Sequence, residues 1–165
     1  MNMTPTRRSN LPDVPWITAD GAFDPATFPI DSTLQQCVGL DLERFRSGCR
    51  LLATMVAGGR ADAGVFLLGL LRYYEADSDR LATIVDSLAE FHDARCAAAL
   101  FGELRRVRSS NTTRRYLDRV IRTLARLPAN VVRERLWELS EDSAFSYKMR
   151  AKFKTAAEAV VVGRR

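Results

Sequence analysis

The sequence predicts an all-α protein, a short α-solenoid of stacked helix pairs that follows an irregular N-terminal extension. Apolar residues recur at helical spacing from Asp41 onward, and no stretch alternates apolar and polar residues as a half-buried strand does. The apolar pattern also repeats after 36 residues. With 165 residues, 47% hydrophobic and 27% charged, the chain has the length and composition of one folded domain.

The first part of the chain, residues 1–31, is predicted to be the extension. It holds five of the six prolines, and proline removes a backbone donor and favours extended geometry before it, so we expect no regular helix there. Its apolar residues Trp16, Phe23, Phe28 and Ile30 are too many for an inert linker. The segment either covers the end of the helical array or docks on a partner, and we favour the cover because terminal units of stacked arrays need one.

Residues 32–162 are predicted to form the helical repeat domain, and residues 163–165 a short basic tail. Seven amphipathic helices are expected within the domain. Their predicted starts are Asp41, Asp62, Ser78 or Asp79, Asp93, the loop 109–112, Asn130 and Ser143, since short polar side chains cap helix N-termini. Gly58-Gly59 is predicted to end the first helix and Pro128 the fifth.

The 36-residue shift brings together the apolar positions of three successive helices. Its sharpest element is a Leu-Ala pair, found at 52–53, 88–89 and 124–125. A small Ala beside a core Leu lets two helices approach closely. Each helix pair would then bury its apolar face only against neighbouring pairs, which is the principle of a solenoid. A non-repetitive helical bundle is the alternative.

Two stretches carry a resemblance to a known family. Residues 81–89 and residues 93–104, the latter with an alanine cluster and a Leu-x-Gly-x-Leu ending, resemble the two helices of bacterial HEAT-like repeats. The resemblance covers about three and a half units over residues 41–160, and it implies an α-solenoid in which ligands often use the concave side formed by the second helices. The third unit departs from the pattern, since Glu138 stands where Gly102 stood.

Positive charge is concentrated in the C-terminal part of the chain. The net charge is +5, but residues 1–104 carry 9 Arg against 14 Asp and Glu, whereas residues 105–165 carry 16 Arg and Lys against 6 acids. Such asymmetry produces a positive field at one end, which attracts polyanions or acidic proteins. Arg outnumbers Lys by 22 to 3, a bias that a G+C-rich genome also produces.

An arginine stripe, defined as Arg115, Arg119, Arg122 and Arg126, is the strongest candidate for a binding surface. The four residues follow helical spacing and line one side of the fifth predicted helix. Like charges at this spacing repel, which points to an anionic counterpart, and guanidinium groups pair well with phosphate or carboxylate.

The repeat offers an internal comparison for this stripe. The equivalents of its last three members in the preceding unit are Thr83, Asp86 and Glu90. The stripe is therefore either a local binding surface or a solvated face that the acidic unit beside it neutralises.

Four further residues complete the candidate surface. Arg105 and Arg108 precede the stripe, and Arg133 and Trp137 lie one turn apart on the next predicted helix. Arg133 and Trp137 could stack on a base or grip a partner, although Trp137 is equivalent to the core residue Phe101, which favours burial.

Motifs for catalysis or metal binding are not visible. His92 is the single histidine, and Cys37, Cys49 and Cys96 form no CxxC pair, so no zinc site is expected. Cys49 and Cys96 fit the core of a protein from a reducing compartment. No phosphate-binding GxxxxGK[ST] occurs either, and we expect no enzymatic activity and no cofactor.

The sequence thus favours a cytoplasmic protein-interaction module, an adaptor or scaffold that binds an acidic protein or peptide in the groove of the second helices. The start of the chain lacks the apolar core of a signal peptide, and no apolar run reaches membrane-spanning length, so we expect no membrane association. The alternative is a nucleic-acid-binding module that contacts phosphates through the arginine-rich surface.

Overall fold

Eight α-helices and one 3-10 turn build the part of the chain that the computed structural model describes, residues 14–160. The helices are α1 (Ile30–Val38), α2 (Leu42–Ala57), α3 (Ala61–Tyr73), α4 (Ser78–Ser87), α5 (Ala94–Arg106), α6 (Arg114–Leu124), α7 (Ala129–Glu141) and α8 (Tyr147–Ala159), with the 3-10 turn at Leu88–Glu90. The all-α fold class is confirmed, and between residues 14 and 160 only an isolated bridge, Ile17 to Phe23, pairs extended backbone. Pro5, Pro12 and the predicted basic tail lie outside the described residues.

Helices two places apart in the chain contact one another, and they form two groups. In a first group, α2 contacts α4, α4 contacts α6 and α6 contacts α8. In a second group, α1 contacts α3 and α5 contacts α7. The two groups meet where consecutive helices pack together, as α1 does on α2 and α7 on α8.

Local sequence signals place several helix ends correctly. Asp41 caps α2, because its side chain accepts hydrogen bonds from the backbone N–H groups of Glu43 and Arg44. The helix ends at Gly58, and Gly59 then adopts a φ of +94°, which favours glycine. Asp93 caps α5 through the backbone N–H of Arg95.

The predicted start of α3 is wrong by one residue, whereas α4 begins at Ser78 as predicted but has a different cap. Helix α3 begins at Ala61, and Asp62 lies in its first turn, where it pairs with the guanidinium group of Arg60 at 3.0 Å instead of capping. Helix α4 is capped by Asp77, which accepts from the N–H of Arg80, and not by Ser78 or Asp79. A carboxylate just outside the first turn takes the capping role.

The caps predicted for the last three helices are also wrong. Thr113 precedes α6 and makes no side-chain cap bond to it. Helix α7 follows Pro128, whose fixed φ of −56° leads directly into the helix, so Asn130 is already inside. Ser146 caps α8 through the N–H of Met149, which places Ser143 in the preceding loop.

Helix α1 was not predicted, since only residues from Asp41 onward were expected to be helical. It begins at Ile30, immediately after Pro29, and packs against α2. Close approach is possible because residue 48 is glycine: a Cβ atom there would lie 2.6 Å from Cys37 Sγ. The last N-terminal proline, Pro29, directly precedes this helix, so no proline interrupts it.

A continuous apolar core runs through all eight helices. Leu52, Leu88 and Leu124, the predicted repeat-equivalent leucines, are each fully buried. Cys49 and Cys96 are likewise buried with free thiols, which confirms their expected place in the core.

Residues 14–29 fold onto the turn between α2 and α3. Phe28 packs against the core, and its carbonyl oxygen accepts a hydrogen bond from Arg60 Nη1 at 2.6 Å. Trp16 and Phe23 contact the Phe28 ring edge-on, with ring centroids 5.7 Å and 5.2 Å away. The described part of the extension therefore covers the core beside this turn.

Arg80 is a buried arginine that holds three segments together. Its guanidinium group donates to the carbonyl oxygens of Gly39 and Leu40, at 2.9 Å and 3.0 Å, in the turn between α1 and α2. It also donates to the Tyr74 hydroxyl at 2.8 Å and lies over the rings of Phe45 and Tyr74. These contacts fix α4 against the first two helices and against the end of α3.

Candidate partner-binding site

Helix α6 presents the arginine stripe to solvent. Its opposite side carries Leu117, Val120 and Leu124, which are buried, so helical periodicity places the first three arginines of the stripe outward. Arg126, predicted to lie on the same helix, follows in the turn after α6. Arg115, Arg119, Arg122 and Arg126 are all exposed.

Carboxylates of α4 and of the 3-10 turn after it pair with half of this stripe. Arg126 Nη2 lies 2.7 Å from Glu90 Oε1, and Arg119 forms an ion pair with Asp86. These two acids are the ones that the predicted repeat makes equivalent to Arg122 and Arg126 in the preceding unit. Arg119 and Arg126 are therefore neutralised by neighbouring acids. Their ion pairs connect α6 and the turn after it with α4 and the 3-10 turn after it.

Arg122 borders a groove between α6 and α8. The groove has a volume of about 450 Å³, and Ile121, Ala125 and Ala156 give it an apolar lining. Lys152, at the same groove, is ion-paired with Asp118 of α6. Neither Arg115 nor Arg122 forms an ion pair with another residue of the described chain.

Two other predicted residues, Arg105 and Arg108, meet at a second groove. It lies between the end of α5 and the loop before α8 and has a volume of about 410 Å³. Its apolar lining includes Val107, Phe145 and Met149. We call it the arginine groove, because both arginines stand at its rim and their side chains reach solvent.

The arginines at the arginine groove differ in how free they are to bind an external acid. Arg106 also lines it but is bound to Glu103, with Nη2 2.6 Å from Oε2, and to the backbone oxygen of Glu75. Arg105 lies 3.8 Å from Asp142, a loose and exposed pair. Arg108 has no ion pair within residues 14–160. Arg105 and Arg108 are thus the cations that an external acid can reach.

A buried polar cluster supports the wall of the groove. The Tyr116 hydroxyl of α6 donates to Glu103 Oε2 at 2.6 Å, and both residues are almost fully buried. Burial, followed by the hydrogen bond to the Glu103 carboxylate, raises the pKa of Tyr116, so its hydroxyl stays protonated and keeps donating. The cluster holds α5 against α6, and Glu103 also holds the guanidinium group of Arg106 in place.

The pair Arg133 and Trp137 on α7 is divided between surface and core. Arg133 is exposed, whereas Trp137 packs against the core, as its equivalence to buried Phe101 predicted. The guanidinium group of Arg135 lies over the Phe101 ring, 4.4 Å from its centroid. Trp137 is consequently part of the packing of α7.

The apolar lining of the arginine groove was missed by sequence reasoning. Because Ser143 was expected to cap the last helix, that helix was expected to include Phe145. With the true cap at Ser146, Phe145 lies in the preceding loop and lines the groove. The serine that follows Phe145 was the available signal.

Between residues 14 and 160, no group of three or more His, Cys, Asp or Glu side chains is placed to hold a metal ion. His92 is exposed in the turn before α5. No helix within the described residues combines the length and the apolar character needed to cross a membrane.

Comparison with known proteins gives no match: no protein-family model, no curated protein and no solved structure is similar to this chain.

Proposed function

We propose that the protein is a non-enzymatic interaction module, an adaptor or scaffold, that binds an acidic protein or peptide in the arginine groove. The observation that carries this proposal is the placement of Arg105 and Arg108 at the rim of a groove lined by Val107 and Phe145. A partner segment with a carboxylate beside an apolar side chain satisfies both features, since guanidinium groups bind carboxylates through paired hydrogen bonds.

The scaffold that presents this groove is, in our proposal, a short HEAT-like solenoid in the cytoplasm. The sequential contacts within the first group of helices support it, as does the equal burial of Leu52, Leu88 and Leu124. The buried free thiols of Cys49 and Cys96 fit a reducing compartment.

Nucleic-acid binding is the competing proposal, and Arg115 and Arg122 favour it because both are exposed. However, Arg119 and Arg126 lie between and beside them and already bind carboxylates. A phosphate backbone would have to displace these acids, whereas a peptide in the arginine groove would displace only the loose 3.8 Å pair of Arg105 with Asp142.

The test uses two fluorescent probes, a peptide that alternates Glu with Phe and Leu, and a duplex DNA. We expect the peptide to bind and the double variant Arg105→Glu/Arg108→Glu to bind it at least about tenfold more weakly. The control Arg44→Glu/Arg50→Glu makes the same charge change on the exposed side of α2. Equal weakening by this control would mean unspecific attraction and would overturn the proposal.

Duplex DNA separates the two functions. Binding through phosphates weakens steeply with salt, with a log–log slope of about −0.9 for each phosphate neutralised. If DNA binds with such a slope and the Glu-rich peptide does not bind, the nucleic-acid alternative replaces the peptide proposal.

A further inference from the structure

Ser109 is an exposed serine that lines the arginine groove beside Arg105 and Arg108. It follows α5 in the irregular loop that leads to α6. Neither its hydroxyl nor its backbone takes part in a hydrogen bond within residues 14–160. Ser109 can therefore change its conformation, or carry an added group, without loss of a bond that the described chain makes.

The other hydroxyl groups of this loop are bonded to one another. Ser110 Oγ lies 2.9 Å from Thr112 Oγ1 and 3.0 Å from Thr113 Oγ1. Thr113 Oγ1 also donates to the backbone oxygen of Arg108 at 2.7 Å and accepts from the N–H of Ser110 at 2.9 Å. These bonds build the turn before α6, and a bulky group on any of the three hydroxyls would break it. Ser109 is the exception.

Arginines stand three residues and one residue before Ser109, at Arg106 and Arg108. Protein kinases select their substrates by the pattern of charges around the acceptor, and the basophilic class selects serines that shortly follow arginines. Ser47 has arginines at the same spacing, but it lies inside α2, whereas Ser109 lies outside any helix. Since a kinase binds its substrate as an extended segment, the fold makes Ser109 the better acceptor of the two.

We propose that Ser109 is a phosphorylation site and that its phosphate blocks the arginine groove to acidic peptides. A basophilic kinase transfers the terminal phosphoryl group of ATP to Ser109 Oγ, the hydroxyl proton is released, and ADP is the second product. The phosphate then pairs with Arg105 and Arg108, the two cations that an acidic partner needs. This inference rests on the proposed function of the groove and adds its regulation.

The charges at the groove favour this pairing. Phosphoserine carries nearly two negative charges at neutral pH, and guanidinium groups bind phosphate through paired hydrogen bonds. Arg108 is the neighbour of Ser109 and forms no ion pair within residues 14–160, and Arg105 has only its 3.8 Å contact with Asp142. Because the phosphate belongs to the same chain, it competes at a high effective concentration with a peptide from solution.

The first test asks whether a kinase accepts this serine. The folded full chain is incubated with ATP and the catalytic subunit of cyclic-AMP-dependent protein kinase, a basophilic enzyme, and tandem mass spectrometry locates the phosphate. We expect phosphate at Ser109 and none at Ser47, and no phosphate at position 109 in Ser109→Ala. Absence of phosphate from Ser109, or its appearance at Ser47 instead, overturns the proposal.

The second test asks whether the phosphate blocks the groove. Phosphoserine is installed at position 109 through an expanded genetic code, so the result does not depend on the kinase. We expect the peptide that alternates Glu with Phe and Leu to bind this protein at least about tenfold more weakly than the wild type. Phosphoserine at position 47, exposed on α2, adds the same charge outside the groove and is the control. Equal weakening by both phosphoserines, or by neither, contradicts the proposal.

The third test measures the phosphate–arginine contact without any peptide. Cations beside a phosphate stabilise its dianion, so we expect a phosphorus NMR titration to show a lower second pKa for the phosphoserine at position 109 than in the same protein with Arg105→Ala/Arg108→Ala. Equal pKa values overturn the pairing. A wild type that binds no peptide overturns the proposed function and with it the regulatory role, whereas the phosphate contact stands or falls with this titration alone.

Discussion

Arg126 and Glu90, which are 36 residues apart, form an ion pair with Nη2 2.7 Å from Oε1 that joins the turn after α6 to the 3-10 turn after α4. Both side chains are about half exposed, so solvent screens the attraction. We expect a double-mutant cycle with Arg126→Ala and Glu90→Ala to give a coupling of about 0.2–1 kcal/mol, which decreases at high salt. Urea denaturation of the four proteins measures it, and zero coupling at low salt would show that the pair does not contribute.

The three repeat-equivalent leucines provide a test of the repeated architecture. Leu52, Leu88 and Leu124 are all fully buried. We expect each Leu→Ala variant to lower the free energy of unfolding by about 2–5 kcal/mol, with similar values because the proposed repeat gives the three leucines equivalent surroundings. Denaturant unfolding gives the three values. If one Leu→Ala variant loses far less free energy of unfolding than the other two, the surroundings of that leucine are not those of a repeat.

Replacement of Arg80 should destabilise the fold strongly. Arg80→Ala leaves the carbonyl oxygens of Gly39 and Leu40 without their donor and opens space beside Phe45. We expect a loss of about 3 kcal/mol in the free energy of unfolding. Arg80→Lys should recover only part of it, since an ammonium group cannot donate in the same planar arrangement. Full recovery by Lys would mean that charge alone matters.

Acid should weaken the N-terminus of α5 through Asp93. The side chain of Arg95 and its backbone N–H hold the pKa of Asp93 at about 2, below its ordinary 3.8. Because the folded-state pKa is the lower one, this stabilisation is complete above about pH 4 and disappears as the pH falls through about 2. In thermal melts over that range we expect Asp93→Asn to lose less stability than the wild type. The effect is small, since solvent screens this exposed side chain.

Two parallel pH profiles below pH 4 would show that the ionised carboxylate of Asp93 does not contribute to stability. Asparagine is a suitable substitute because it also caps helices well and leaves the local backbone arrangement intact.

Deletion of residues 1–29 should lower the melting temperature. It removes the ring of Phe28 from the core and the carbonyl oxygen that Arg60 binds. We expect a loss of about 2 kcal/mol or more, the amount that burial of one Phe side chain contributes. Phe28→Ala in the full chain should reproduce most of it. An unchanged melting temperature would favour the alternative that this segment docks on a partner.

Sequence reasoning succeeded where a short-range signal decides the structure. Asp41, Asp93 and the pair Gly58-Gly59 act within one helical turn, and all three were predicted. Helix α1 was missed because its stability comes from packing on α2 through Gly48, a contact that no local pattern reveals. The burial of Arg80 was missed for the same reason, since its partners Gly39 and Leu40 lie about 40 residues earlier in the chain.

The candidate site was predicted only in part. The periodicity of α6 fixed the outward direction of the arginine stripe, and the repeat comparison identified Asp86 and Glu90 as the neighbouring acids. The repeat comparison could not show whether Arg119 and Arg126 would reach these two acids, because that depends on how closely α4 and α6 pack. The arginine groove is formed in part by the loop before α8. The predicted cap of α8, Ser143, lies three residues before the true cap, Ser146, and this error placed Phe145 inside the helix instead of in the loop.

The excess of acids in residues 1–104 and the excess of Arg and Lys in residues 105–165 give the molecule an electric dipole moment. Asp41, Asp77 and Asp93 lie at the starts of α2, α4 and α5, whereas Arg105, Arg108 and Arg122 belong to the last four helices or the loop between them. On a negatively charged surface such as a cation-exchange resin, the protein will therefore attach by its α6–α8 end. Molecules immobilised in this way will share one orientation and leave the first helices accessible to solution.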